Sequence, residues 1–250
     1  MLLPLSFWFA PGSDAAATSS KPFTLSGWEL SLPVNSSGHL SGKAAAKLPA
    51  KLTPPWLSRQ PDGGLRFFAP SRGATTSHSF HTRTELVWLK RFPAGNAGHY
   101  LTATLVAEEL PAVTHRVVIG QIHGTEKYSA APFVLLELRG TTLVVSIESK
   151  PKLEGSKGPS NGAVVTDYDL MSGVGVGKEF TYTITAARNN IRVTASFGAG
   201  GGSAHSVTAP VPAAWKGRPV TFHAGAYGQD NAASATSGGS AVVFYALRVH

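Results

Sequence analysis

Three short stretches of this chain carry side chains that hydrogen-bond and exchange protons. Each spaces them by two residues, which puts them on one face of a β-strand. In "HTRTEL" (81–86), Arg83 and Glu85 share a face while Thr84 and Leu86 share the other. In "GQIHG" (120–124), Gln121 and His123 lie together and Ile122 points the opposite way, toward a core. In "TFHAGAYGQD" (221–230), His223, Tyr227 and Gln229 fall on one side, with Phe222, Ala224 and Ala226 on the other. Taken singly, each stretch reads as the solvated face of an antiparallel strand. Together they do not, because such faces are ordinarily filled with Lys, Glu, Thr and Ser. Gly120, Gly124, Gly225 and Gly228 flank these groups and point to close approach of a ligand or of a neighbouring backbone. Glu85 has two readings, as a ligand contact or as the partner that orients Arg83 through a charge-assisted hydrogen bond.

The elements that must position these groups are short strands. Residues 99–110, 133–138, 142–148, 179–187, 191–197 and 241–249 are rich in Val, Ile, Thr, Tyr and Phe and are predicted to be strands. Arg139-Gly140-Thr141 and Asn189-Asn190 are short enough to close hairpins. Residues 41–48, "SGKAAAKL", are the best helix candidate, and 209–217 read as an irregular connector or single helical turn. The glycine-rich stretch 196–206 reads as a loop between strands. No strand–helix alternation, internal repeat or linker is evident, so the pattern predicts one all-β domain over residues 21–250. Its expected form is an antiparallel β-sandwich of the jelly-roll kind with a concave substrate cleft. Residues 1–20, an apolar stretch followed by small residues but without a basic start, read as a leader or flexible N-terminal segment.

Composition narrows the class. Apolar residues make up 42% and charged residues 14%, which supports a core and argues against disorder. There is no cysteine, hence no disulfide framework, thiolate metal site or cysteine nucleophile. No apolar run reaches the roughly 18 residues that a membrane-spanning helix needs. The net charge of +8 favours a polyanionic partner or simply a solubilising surface. The basic residues are scattered, without interleaved exposed aromatics, which argues against nucleic acid.

The three motifs resemble those of the alginate lyases of polysaccharide lyase family seven. Those enzymes carry Arg-(Ser/Thr)-Glu-Leu, Gln-(Ile/Val)-His and Tyr-Phe-Lys-Ala-Gly-x-Tyr-Asn-Gln. This chain has "RTEL" at 83–86, "QIH" at 121–123 and "TFHAGAYGQ" at 221–229, in the same order. "GWELSLP" (27–33), "APSRGATTSHS" (69–79) and "VVFYALRV" (242–249) extend the similarity over nearly all of residues 21–250. The resemblance implies β-elimination on a uronate polymer: the C5 proton leaves and the C4–O glycosidic bond breaks. The site must then offset the substrate carboxylate and the charge that develops beside it. It further implies that Arg83 and Gln121 neutralise the carboxylate, that His123 is base or base assistant, and that Tyr227 is acid or acid–base. Glu85, His223 and Gln229 would contact substrate. No metal or other cofactor is expected, and the implied protein is a secreted or periplasmic monomer acting on an anionic polysaccharide, with no nucleic-acid or membrane partner.

Three departures bear on substrate choice. His223 stands where the family carries Lys, Gly228 where it carries Asn, and Glu137 in a strand that often holds a basic residue. Lys is a permanent cation, whereas His is cationic only below its ordinary pKa of about 6.5. The catalytic quartet is intact, so lyase chemistry is expected, with a glucuronan lyase of the same fold as the neighbouring alternative. A carbohydrate-binding sandwich without catalysis is the alternative from another class.

Overall fold

The computed structural model describes residues 24–154, 163–200, 202–235 and 237–250; the expected leader at 1–20 lies outside them. In chain order the strands are β1 (Trp28–Ser31), β2 (Leu48–Pro49), β3 (Leu57–Arg59), β4 (Leu65–Pro70), β5 (Arg83–Trp88) and β6 (Phe92–Pro93). There follow β7 (His99–Glu109), β8 (Arg116–Gly124), β9 (Pro132–Arg139), β10 (Thr142–Glu148) and β11 (Val165–Ser172). The last five are β12 (Glu179–Ala187), β13 (Asn190–Phe197), β14 (His205–Pro210), β15 (Pro219–Gly228) and β16 (Gly239–Val249). All six strands expected from composition are present, within two residues at either end.

These residues become strands because their alternation lets two sheets bury one face each. Along β12, Phe180, Tyr182, Ile184 and Ala186 are buried, while Thr181 and Thr183 face outward. There their hydroxyls meet those of Thr104 and Thr102 across the ladder, each at 2.8 Å. One sheet runs β11-β10-β9-β8-β15-β5-β1-β2, with β6 also paired to β15; the other runs β14-β13-β12-β7-β16-β4-β3. Every strand pairing in them is antiparallel, and the two form a β-sandwich of the jelly-roll kind. Between them lie Trp215, Phe133, Phe67, Phe244, Phe222 and Leu86, all fully buried. Phe67 meets Phe244 edge-on at 5.0 Å, and Phe133 stacks on Trp215 at 5.0 Å.

Residues 41–48 are not helical. Their backbone groups are used in tertiary pairing instead: Lys43 bridges Thr75, Ala44 N–H donates to Thr75 O, and Ala45 N–H donates to Val34 O. Tertiary bonds of this kind override the weak helical preference of an alanine-rich stretch. Among the described residues the one helical element is a 3₁₀ turn, Glu126–Tyr128. Residues 211–217 form a turn closed by Trp215 N–H to Pro212 O, and 198–204 join β13 to β14.

The middle of the first sheet sets the geometry that matters. β15 lies between β5 and β8, with Tyr227 opposite Arg83, Gly225 opposite Glu85, and His223 opposite both Val87 and Gln121. Against β8, β15 carries one extra residue between Ala224 and Tyr227. Gly225 sits in that bulge at φ +153°, where a Cβ would collide with the Thr84 carbonyl and lie 2.8 Å from Glu85 Cα. At Gly120 a Cβ would lie 2.6 Å from the Tyr182 hydroxyl, which donates to Ile119 O within the core. The glycines flanking the polar residues therefore answer to neighbouring protein, the second of the two readings. Gly225→Ala is expected to destabilise the fold by about 2 kcal/mol or more. Gly38→Ala, in an open turn at φ +81° with no atom within 4 Å of a Cβ, should cost only about 1 kcal/mol. Urea unfolding midpoints of the two variants check this ranking.

Candidate active site

Because β5, β15 and β8 are adjacent, their outward residues converge. Arg83, Glu85, Gln121, His123, His223, Tyr227 and Gln229 all line one cleft of about 470 Å³ on the face away from the core. The structure thus brings together every site residue expected from the sequence. Their depths differ, and depth decides what each can do.

Glu85 and Gln121 are the deepest, each 1% exposed, and Glu85 gathers the rest. Its Oε1 accepts from the Gln121 amide, and its Oε2 accepts from His223 Nδ1 at 3.2 Å and from Arg83 Nη1 at 3.5 Å. Burial opposes its charge, but the attraction and N–H of His223, with Arg83 and the Gln121 amide, overcome that and hold the carboxyl down to about 2. An ionised carboxylate accepts only, so three features follow: Gln121 turns its NH₂ toward Glu85, His223 carries its hydrogen on Nδ1, and Arg83 is anchored at one end. Both oxygens are occupied, so Glu85 is a positioning residue. Of its two readings, the orienting one is supported by these three hydrogen bonds, while Glu85 also lines the cleft floor.

His123 and His223 stack with centroids 4.8 Å apart and planes 9° from parallel. His123 Nδ1 lies 2.9 Å from Gly124 O, which can only accept, so Nδ1 carries the hydrogen and Nε2 is bare. The ring keeps an edge toward the cleft, yet the surrounding protein desolvates it, and with the repulsion of His223 pushes its pKa down to about 3. Burial likewise pushes His223 down, with Glu85 opposing. Near neutral pH both rings are therefore uncharged. His223 does not restore the cation that the resemblance leads one to expect at its position, and it loses its charge further below pH 7 than a free imidazole does.

Arg83 lies under the phenol of Tyr227, its Cζ 3.8 Å from the ring centroid. Its Nε is buried and has no hydrogen-bond partner in the protein. A buried guanidinium N–H left unmade is costly, so it is a ready donor for an incoming anion. The Tyr227 hydroxyl faces Ser79 Oγ at 2.9 Å, and His81 packs edge-on to the ring at 6.0 Å. Gln229 turns its amide N–H back to the carbonyls of Tyr227 and Gly228, leaving its oxygen for the cleft.

Several lining residues were not singled out from the sequence. Ser79 and His81 continue the two-residue spacing of Arg83 and Glu85 backward, a signal that was present but obscured by the loop character of the stretch. His78, Ser129 and Glu154 come from three different loops. Glu154 accepts from His78 at 3.3 Å and from the Ser129 hydroxyl, tying the rim together. Lys47, from the segment before β2, also lines the cleft, and no local pattern marks it. Glu137, unexpected in an anion-binding face, is 1% exposed and bracketed by Arg116 at 3.0 and 2.8 Å and by Arg139. Its charge is neutralised within the sheet, and Arg116 stays partly exposed. Among the described residues no group of three or more His, Cys, Asp or Glu could hold a metal ion.

Comparison with known proteins now gives the class. The fold is similar to that of the alginate lyase A1-II′, a member of polysaccharide lyase family 7: TM-score 0.70, 22% identity, covering 92% of this chain and 96% of that one. It is similar to the alginate lyase PA1167 from Pseudomonas aeruginosa at TM-score 0.70 and 26% identity, over 91% and 99% of the two chains. The alginate lyase from Klebsiella pneumoniae matches at TM-score 0.70 and 22% identity, over 92% and 96%. No curated protein sequence matches the chain significantly. The fold and the family match below are those of a polysaccharide lyase. The sequence model of the alginate lyase family matches residues 23–250, and the chain belongs to that family.

Glu85→Gln tests the buried carboxylate. A carboxyl lowered from 4.5 to about 2 stabilises the fold above the unfolded value and stops doing so as pH falls through about 2. The expected stability gap between wild type and Glu85→Gln is on the order of 3 kcal/mol near pH 6, closing between pH 4.5 and about 2. Urea titrations across that range measure it, and a gap independent of pH would contradict the ionised assignment.

Proposed function

We propose that the protein cleaves alginate by β-elimination within the chain, leaving a 4,5-unsaturated uronate on the new end. The observation that carries this reading is Arg83, largely buried, whose Cζ lies under the ring of Tyr227, whose Nε has no partner in the protein, and which lines one cleft with Gln121. That is a carboxylate receptor built against a proton-transferring phenol. The Arg83 fork and the second N–H of Gln121 hold the substrate carboxylate, favouring the charge that moves onto it as the C5 proton leaves. The C5–H electron pair forms the C4=C5 double bond, the C4–O bond breaks, and a proton is delivered to the departing oxygen.

Two groups can take the C5 proton. In mannuronate the C5 hydrogen and the C4 oxygen lie on the same face of the ring, so Tyr227 can serve as base and then acid, with Ser79 hydrogen-bonded to its hydroxyl. In guluronate, the C5 epimer, they lie on opposite faces, and a second group is needed. His123 presents bare Nε2 for that purpose, though with a pKa of about 3 it is a weak base until a substrate charge settles beside it. The site therefore favours mannuronate linkages.

Internal cleavage is supported by the cleft's continuation at both ends. Phe80 borders a further cavity of about 350 Å³, and Lys47 borders one of about 200 Å³. A polymer substrate too large to cross a membrane supports a secreted or periplasmic location. The A1-II′ enzyme, 24% identical, is seen with substrate GGMG when a histidine and a tyrosine are replaced, which is consistent with roles for His123 and Tyr227.

The test is absorbance of the unsaturated product with polymannuronate, polyguluronate, alginate and glucuronan in turn. Alginate and polymannuronate should give a rise; a rise with glucuronan alone would reassign the substrate, and none with any would remove the lyase reading. Tyr227→Phe should lower kcat by about a thousandfold or more while polymer binding persists. His123→Ala should reduce turnover of polyguluronate more than of polymannuronate, in the same assay.

A further inference from the structure

The cleft continues past the stacked histidines into the smaller cavity of about 200 Å³. Lys47, Val87, His123 and His223 line both spaces, so Lys47 stands at the passage between them. Its position follows from the sheet. β2 pairs with β1 through Leu48 and Leu30, and continuing that register sets Lys47 beside Ser31, itself opposite Glu85. Lys47, Ser31, Glu85 and Gly225 thus form one transverse row across the first sheet.

The charges around this row are unevenly committed. Lys47 and Arg83 are the two permanent cations lining the main cleft, and Glu85 and Glu154 the two carboxylates. Arg83 is balanced by Glu85 at 3.5 Å, and the histidines beside it are held neutral by burial. In the smaller cavity Arg91 is paired with Glu126 at 2.9 Å, leaving Glu29 as a carboxylate without such a partner. Among the described residues the Lys47 ammonium makes no hydrogen bond or ion pair; Glu85 and Glu29 act on it only at longer range. Lys47 is exposed as a residue, and desolvation at the cleft wall draws its pKa below the ordinary lysine range. Without Lys47 both cavities would present net negative charge to a polyanion.

Resting on the lyase reading, we infer that Lys47 is a specificity-determining residue. Its ammonium holds the carboxylate of the sugar next to the one gripped by Arg83 and Gln121, in the smaller cavity. A uronate polymer carries a carboxylate on every ring, so a sugar placed there must bring one. A neutral or esterified neighbour would leave the ammonium unpaired.

Steady-state kinetics of wild type, Lys47→Met and Lys47→Arg on alginate test this, with KM followed against ionic strength. Methionine keeps the apolar stem and removes the charge. The expected result is a KM about tenfold or more higher for Lys47→Met, with kcat falling far less, and a weaker salt dependence of KM. Lys47→Arg should recover most of the loss. A KM and salt dependence equal to wild type in Lys47→Met, or a loss confined to kcat, would overturn the assignment while leaving the lyase reading intact. A wild-type enzyme inactive on alginate would overturn both.

Discussion

One buried carboxylate organises the site. Glu85 receives hydrogen bonds from its own strand through Arg83, from β8 through Gln121, and from β15 through His223. Three adjacent strands are thereby linked on their outer face as well as through their ladders. An ionised group with only acceptor capacity leaves its donors no rotational choice, so the amide orientation, the imidazole tautomer and one end of the guanidinium are fixed together. The energetic risk is high, because an unpaired charge at that depth would be strongly destabilising. With all three donors present, it gives a rigid platform on which Arg83, Gln121 and His123 line the cleft.

The platform depends on how closely the strands approach. Gly225 lets the β15 backbone pass against Thr84 and Glu85 where no side chain fits, and Gly120 admits the Tyr182 hydroxyl to the carbonyl beside it. These glycines hold the polar residues in place, although neither lines the cleft. Bulges and missing side chains aim His223 and Tyr227 at the same space from one strand.

The sheet, its strands and the facing of Arg83, Gln121, His123 and Tyr227 were legible from two-residue alternation, because that alternation is imposed by the backbone itself. Burial depth was not legible. Nothing in "RTEL" distinguishes a carboxylate that meets a sugar from one that lies beneath three donors, since both readings place Glu85 on the same face as Arg83. The alanine-rich 41–48 misled for a related reason: its helix propensity is a local property, and Thr75 and Val34 claim its backbone from elsewhere in the chain. Lys47 was invisible because it reaches the cleft through strand register between β2, β1 and β5, which no local spacing records.

Charge distribution ties these points together. A binding site for a polyanion is expected to concentrate positive charge, yet here Glu85 offsets Arg83 and burial keeps two histidines neutral. This arrangement suits the proposed elimination. A neutral histidine keeps a bare nitrogen for a proton, and a partly offset guanidinium binds the carboxylate through directed N–H groups without holding so strong a charge that product stays bound. The attraction that a polyanion requires is then left to groups outside the reacting centre. The overall charge of +8 acts at long range, and Arg116 and Lys47 act along the sheet on either side of the centre. Binding charge and reacting groups occupy different positions on one rigid face, so substrate preference can shift at Lys47 or Glu137 without disturbing the Glu85 platform.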